Sequence, residues 1–205
     1  VVWYGFDGKD REIYFYDAAT GVVTQVTANP GLDDAWVQID GDNIVWRGHD
    51  GVDYEIWTYQ FSTGVTTKIT DNIEGDNDPQ ISGDYVVWQG YDGVADTVSD
   101  RGDWDIFAYN LPSQVTLNVS ANAAMEDSSP RIEGNEVVWE SRHIGDDWEI
   151  MHTEIGSGQV PQNLSADVDS ERLVLLNDEV AGEQHAALNR ATLYQTPGHT
   201  LAILP

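Results

Sequence analysis

There is no cysteine among the 205 residues, which excludes disulfides, thiol nucleophiles and cysteine-ligated zinc and leaves the redox compartment open. Lysine is nearly as scarce: two Lys and seven Arg stand against 24 Asp and 12 Glu, for a formal net charge of −27. Phosphates would be repelled over the whole surface, which argues against nucleic acid as a partner. No apolar run approaches the ~20 residues needed to cross a bilayer, and no signal-peptide pattern opens the chain. The five histidines, His49, His143, His152, His185 and His199, include no pair at metal-ligand spacing. A Gly-x-Ser-x-Gly elbow, a phosphate loop and a triad-like set are also missing, and carboxylates are too numerous to single out an acid/base pair. These absences point away from an enzyme. The acidic surface suits cations, a salty external medium, a cationic partner or plain solubility outside the cell.

What the chain does have is a repeat. Val1-Val2-Trp3, Ile44-Val45-Trp46, Val86-Val87-Trp88 and Val137-Val138-Trp139 align, with steps of 43, 42 and 51 residues between the tryptophans. Each triplet is followed by a Gly/Asp-rich turn and a second apolar run, such as Glu55-Ile56-Trp57-Thr58-Tyr59 or Asp105-Ile106-Phe107-Ala108-Tyr109. A Thr/Val-rich run ends in Val26-Thr27, Ile69-Thr70, Val119-Ser120 or Leu164-Ser165. An acidic loop then leads into Trp36-Val37-Gln38-Ile39, Pro79-Gln80-Ile81-Ser82, Pro130-Arg131-Ile132-Glu133 or Leu173-Val174-Leu175-Leu176. The alternation of apolar and polar residues, rich in Val, Ile, Thr and aromatics, is the period of half-buried strands. Turns such as Asp7-Gly8, Asp50-Gly51, Asp92-Gly93, Thr20-Gly21 and Gly83-Asp84 suit positions that need positive φ. Four short strands every 42 residues or so predict a β-propeller of about five four-stranded antiparallel blades; an up-and-down β-sandwich is the rival architecture.

The run Asp78-Pro79-Gln80-Ile81-Ser82-Gly83-Asp84-Tyr85-Val86-Val87-Trp88, followed by Asp105-Ile106-Phe107-Ala108-Tyr109, resembles the TolB-like propeller repeat, which is related to the tryptophan-aspartate propellers. The likeness covers residues 1 to 165, departs in having Gly-Asp at the first turn, and fades after Ser165. It implies a propeller with scaffolding or binding roles, and it implies that the Pro79-Gln80-Ile81-Ser82 segment is the innermost strand of its blade.

One domain is expected, with blades over residues 1–29, 33–70, 78–120, 128–165 and 172–205. The first blade lacks its inner strand, and Val1 opens within a repeat, so the pattern expects a processed or truncated product. The third blade carries an insertion, residues 94 to 103, that contains Arg101-Gly102-Asp103; a lone tripeptide in a chain so rich in Gly and Asp carries little weight as an adhesion signal. In the last blade Gly182 takes the place of the tryptophan, as in a degenerate cap, and Thr200 to Leu204 offers a strand for closing the ring or for pairing with another subunit.

Calcium is the cofactor to consider. The hairpins Asp7-Gly8-Lys9-Asp10 and Asp50-Gly51-Val52-Asp53, with Asp103 to Asp105, Asp146 and Asp147, concentrate carboxylates on one rim, where Asp50 and Asp53 are candidate ligands. Equally, such aspartates cap tight turns by accepting their own amides. The loops before the inner strands, Asp33-Asp34, Asp71 to Asp78, Glu126-Asp127 and Asp167 to Glu171, are expected on the opposite rim, and Asp71, Asp76 and Asp78 belong to the densest cluster. Trp3, Trp46, Trp88 and Trp139, with Tyr14, Trp57, Phe107 and Met151, recur in register and read as packing between sheets. The unrepeated Tyr54, Trp104 and Trp148 are the candidate ligand contacts. Sequons at Asn118 and Asn163 occupy one repeat position at the end of the outer strand. The expectation is an extracellular, cell-surface or periplasmic non-catalytic module that binds protein subunits, with self-association through the terminal blades. A carbohydrate-directed propeller, lectin or glycosidase, is the alternative.

Overall fold

The computed structural model describes residues 1–91, 104–120, 125–143 and 148–165. The insertion with Arg101-Gly102-Asp103, the Asp92-Gly93 turn, Asp146 and Asp147, the acidic run Asp167 to Glu171 and the whole expected fifth blade lie outside the described residues.

Alternation in the sequence becomes four antiparallel sheets, each a meander. The first has three strands, β1 (Val2–Phe6), β2 (Arg11–Asp17) and β3 (Val22–Gln25). The second holds β4 (Asp34–Asp40), β5 (Asn43–His49), β6 (Tyr54–Gln60) and β7 (Val65–Lys68). The third holds β8 (Asp76–Ser82), β9 (Tyr85–Tyr91), β10 (Trp104–Asn110) and β11 (Val115–Asn118). The fourth holds β12 (Met125–Glu133), β13 (Glu136–His143), β14 (Glu149–Glu154) and β15 (Gln162–Asn163). Glycines stand where a side chain would be strained, as at Gly8 (φ 112°) and Gly51 (φ 107°) in matching hairpins.

The sheets stack face to face, and a core fills each gap. Ile13 of the first sheet meets Ile44 and Trp46 of the second; Val45 and Ile56 meet Val86, Trp88 and Tyr109; Val87, Ile106 and Ala108 meet Ile132, Val137 and Trp139. Adjacent residues of one strand thus serve opposite gaps, Ile44 one and Val45 the next, which is the period-two geometry of a sheet buried on both faces. Trp46, Trp88 and Trp139 are buried as the repeat predicts, and Trp88 stacks on its cross-strand partner Phe107 with centroids 5.8 Å apart. Trp3, at the same position in the first sheet, stays 37% exposed. The sheet that would cover it is not among the described residues.

Strand parity corrects one expectation. In a four-stranded meander the hairpin between the second and third strands and the loop leading to the next sheet leave from the same end. The acidic hairpins and the acidic loops therefore share one rim: the amide of Leu32 donates to Asp10, and that of Asn72 donates to Glu55 at 3.0 Å.

Candidate functional site

Between consecutive sheets runs a repeated set of buried polar contacts. The indole N–H of Trp46, Trp88 and Trp139 donates to Asp34, Asp76 and Asp127 on the neighbouring inner strand, at 3.0, 2.9 and 3.1 Å. A hydroxyl from the preceding sheet completes the set. Thr27, Thr70, Ser120 and Ser165 each accept the amide of Ile13, Ile56, Ile106 or Ile150, and Thr27, Ser120 and Ser165 donate to Glu12, Asp105 and Glu149. Burial pushes Asp34 and Asp127 up to about 6 and raises Asp76, Glu12 and Glu55 as well, with each neighbouring carboxylate adding to the effect. Asp34, Asp76 and Asp127, held by a tryptophan of their own sheet and bonded to Thr27, Thr70 and Ser120 after the preceding one, thus act as bolts between sheets. Sequence reading placed Asp76 among metal ligands and missed this role; the 12-residue spacing from each aspartate to its tryptophan was the available signal.

The inner strands β4, β8 and β12 lie side by side. Each carries a bulge two residues after its bolt, with a non-glycine residue in the left-handed region: Trp36 (φ 57°), Asp78 (φ 48°) and Ser129 (φ 55°). Such backbone costs on the order of 1 kcal/mol per residue and marks sites where the conformation is put to use. These three residues, with Asn77 and Gln89, line a cavity of about 480 Å³.

Two arginines border it. Arg47 donates to Asn77 Oδ1 at 2.6 Å and lies between the rings of Trp36 and Tyr54, with its guanidinium carbon 4.2 and 4.0 Å from their centroids. Arg131 donates to Asp78 Oδ2 at 2.9 Å. The amide of Ser129 donates to Gln89 Oε1, and the Nε of Arg47 is buried without an acceptor. The cavity therefore offers donors, acceptors and a half-exposed tryptophan on a rigid backbone.

The expected ligand aromatics are less free than their exposure at a rim suggests. One face of Tyr54 holds Arg47 and one face of Trp148 holds Arg142 at 4.4 Å, while Trp104 meets Tyr91 edge-on. The expected metal ligands are spread apart. Asp71 pairs with Lys68 at 2.5 Å, Asp76 bonds Trp88 and Asn72, and Asp78 faces the cavity. Among the described residues, the acidic groups close enough to share an ion are Asp50, Asp53 and Glu55, and Asp7, Asp10 and Glu12. Lys68 reaches into the former, 2.7 Å from Asp50 and 3.7 Å from Glu55, and holds Asp50 down to about 2. At the sequons, Asn118 is exposed and its amide nitrogen donates to Asp105 at 2.5 Å, and Asn163 is exposed with its oxygen accepting the amide of Ser165.

No family model matches the chain. No curated protein matches it either. Solved structures do. TolB from Acinetobacter baumannii aligns with a TM-score of 0.58 at 18% identity, covering 83% of this chain and 42% of that one. A putative TolB from Agrobacterium tumefaciens gives 0.54 at 18% identity, over 79% of this chain and 60% of that one. One of two prolyl endopeptidases described together gives 0.61 at 11% identity, over 78% of this chain but 24% of the other. The chain spans between a quarter and three fifths of the length of these neighbours, and identities this low speak for the fold alone. Four antiparallel sheets stacked face to face, and matched by TolB structures over about four fifths of the chain, give this protein the fold of the TolB-like β-propellers.

Proposed function

We propose that the chain is a non-catalytic, protein-binding propeller that works outside the cytoplasm and takes a polypeptide partner at the cavity between its inner strands. The observation that carries this reading is the convergence of three strained bulges, Trp36, Asp78 and Ser129, on one cavity bordered by Arg47 and Arg131. Tryptophan and arginine are the residue types that dominate protein interfaces, and a rigid polar pocket spares the entropy of ordering loops on binding. The likeness to TolB structures supports a binding role, whereas the endopeptidase match covers a quarter of that chain. Asp34, Asp76, Asp127, Glu12 and Asp105 are engaged by tryptophans or hydroxyls. Among the described residues no helix is long and apolar enough to cross a membrane.

The test is a photo-crosslinking residue placed at Gln89 or at the exposed Ser62 hairpin, with the chain expressed in its source cells. A discrete polypeptide adduct from the Gln89 position alone, lost with Arg47→Ala, is the expected result. Equal adducts from both positions, or binding to a glycan panel with no protein adduct, would overturn it.

A second surface supports the self-association expected from the terminal blades. The first sheet leaves Trp3 37% exposed, whereas its equivalents Trp46, Trp88 and Trp139 are at most 2% exposed beneath a neighbouring sheet. The inferred occupant is a sheet of another subunit. Light scattering decides: a defined oligomer that Trp3→Glu dissociates is expected, and a monomer of 22.7 kDa would assign the face to the chain's own remaining residues.

A further inference from the structure

The first and second sheets contain the same acidic hairpin with different contents. In the second, the ammonium group of Lys68 pairs with Asp50 and Glu55, and with Asp71, beside a carboxylate group that also includes Asp53. In the first, Asp7, Asp10 and Glu12 repeat the arrangement on a hairpin whose glycine has nearly the same φ, 112° against 107°. Lys68 faces Trp57 across its strand pair; the residue that faces Tyr14 at the matching position is Gln25. The first hairpin therefore keeps the carboxylates and lacks the internal cation. Its other basic residues do not replace it: Lys9 makes no ion pair among the described residues, and Arg11 is drawn to Asp33 at 3.4 Å.

Asp10 supplies an independent observation. Its carboxylate is 4% exposed, with Oδ2 accepting the amides of Gly31 and Leu32. The other oxygen, Oδ1, is buried without a donor, in a carboxylate that stands with those of Asp7 and Glu12. A buried carboxylate oxygen with no partner is one that a bound cation would satisfy.

We infer that Asp7, Asp10 and Glu12 form a calcium site in the first hairpin, at the place where the second sheet carries the lysine ammonium. One oxygen from each residue lies within 4.8 Å of the others. Three carboxylate oxygens gathered this closely can enter one calcium coordination sphere, with water completing the roughly six to eight ligands. Because Asp10 also holds the Gly31 and Leu32 amides, the ion would tie the first hairpin to the loop that enters the second sheet.

The test exchanges the two hairpins' contents in the full chain. Chelator-treated protein is titrated with calcium chloride by calorimetry, and the number of bound ions is compared between the wild type, Gln25→Lys, Lys68→Gln and Asp10→Asn. Gln25→Lys, at an exposed position of β3, is expected to lose one calcium while its thermal melt in chelator stays cooperative. Lys68→Gln is expected to gain one, and Asp10→Asn to weaken binding at least tenfold. Should Asp10→Asn fail to fold, Gln25→Lys decides alone. A wild type that takes up no calcium at millimolar concentration overturns the site. So does a Gln25→Lys protein that binds the same number of ions with the same affinity, and a Lys68→Gln protein that gains none breaks the equivalence on which the site is argued.

Discussion

Asp127 is fully buried, accepts the indole N–H of Trp139 at 3.1 Å, and sits near Asp105 and the hydroxyls of Ser120 and Ser141. Desolvation is the largest influence on it, the Asp105 charge adds to that, and its pKa rises to about 6. In an unfolded chain the same carboxyl titrates near 3.8. Between those values the folded protein keeps a proton that the unfolded chain has released. Stability from this group is thus complete below about pH 4 and is lost as the pH rises through about 6. A shift of about two units corresponds to roughly 3 kcal/mol, lost at up to about 1.4 kcal/mol per pH unit. Asp127→Asn keeps an oxygen for Trp139 and carries no charge. The variant is expected to exceed the wild type in stability by about 1 kcal/mol at pH 4.5 and by about 3 kcal/mol at pH 7.5. Urea unfolding followed by tryptophan fluorescence at a series of pH values, with chelator held constant, measures this. A variant less stable than the wild type at pH 7.5, with an unchanged pH slope, would show that Asp127 is ionised and well compensated, and would refute the bolt as described.

Other perturbations test neighbouring parts. A Cβ at Gly90 would stand 2.4 Å from Asp76 Oδ1 and 3.1 Å from both Trp88 Nε1 and Phe107, so Gly90→Ala should cost roughly 2–4 kcal/mol in a thermal melt. Gly5→Ala, whose Cβ meets nothing nearer than Tyr14 at 3.4 Å, should cost under about 1 kcal/mol. Thr70→Val removes the acceptor of the Ile56 amide at 2.8 Å and should cost roughly 1–3 kcal/mol, with Thr70→Ser recovering most of it in the same melt. Arg47→Lys loses the planar stack between Trp36 and Tyr54; it should weaken the Gln89 crosslink several-fold while shifting stability by about 1 kcal/mol or less.

The sheets were legible because their cause is local and repeated. A Trp after each apolar pair, alternating strands and glycine at the positive-φ turns each act within one repeat, and all recur among the described residues. The polar chemistry was harder to read because it depends on strand register. Asp34, Asp76 and Asp127 look like members of acidic loops until the neighbouring tryptophan is seen 12 residues on, reaching back across the strand pair. Lys68 gave no sign that it would satisfy Asp50, 18 residues earlier, because the link depends on which carboxylate each strand register brings under its ammonium. The rim assignment failed for a countable reason: an even number of strands returns the chain to the end where it started.

The same comparison between repeats separates fold from recognition. Bolt positions repeat in chemistry, Asp with Trp and Thr with Glu or its serine and aspartate equivalents, because each gap must satisfy the same buried donors. The bulge positions repeat only in backbone: Trp36, Asp78 and Ser129 share a left-handed φ and nothing else. If the strain served folding alone, glycine would relieve it at every repeat. The protein instead places an aromatic, a carboxylate and a hydroxyl there, beside Arg47 in one sheet and Gln89 in the next. A conserved geometry carrying divergent side chains presents one asymmetric ligand from a near-symmetric frame, and that asymmetry is what a single partner would read. Replacing Trp36, Asp78 and Ser129 together by glycine should therefore preserve or raise stability while abolishing the Gln89 crosslink; lost stability with intact crosslinking would place the bulges in the fold and move the binding face elsewhere.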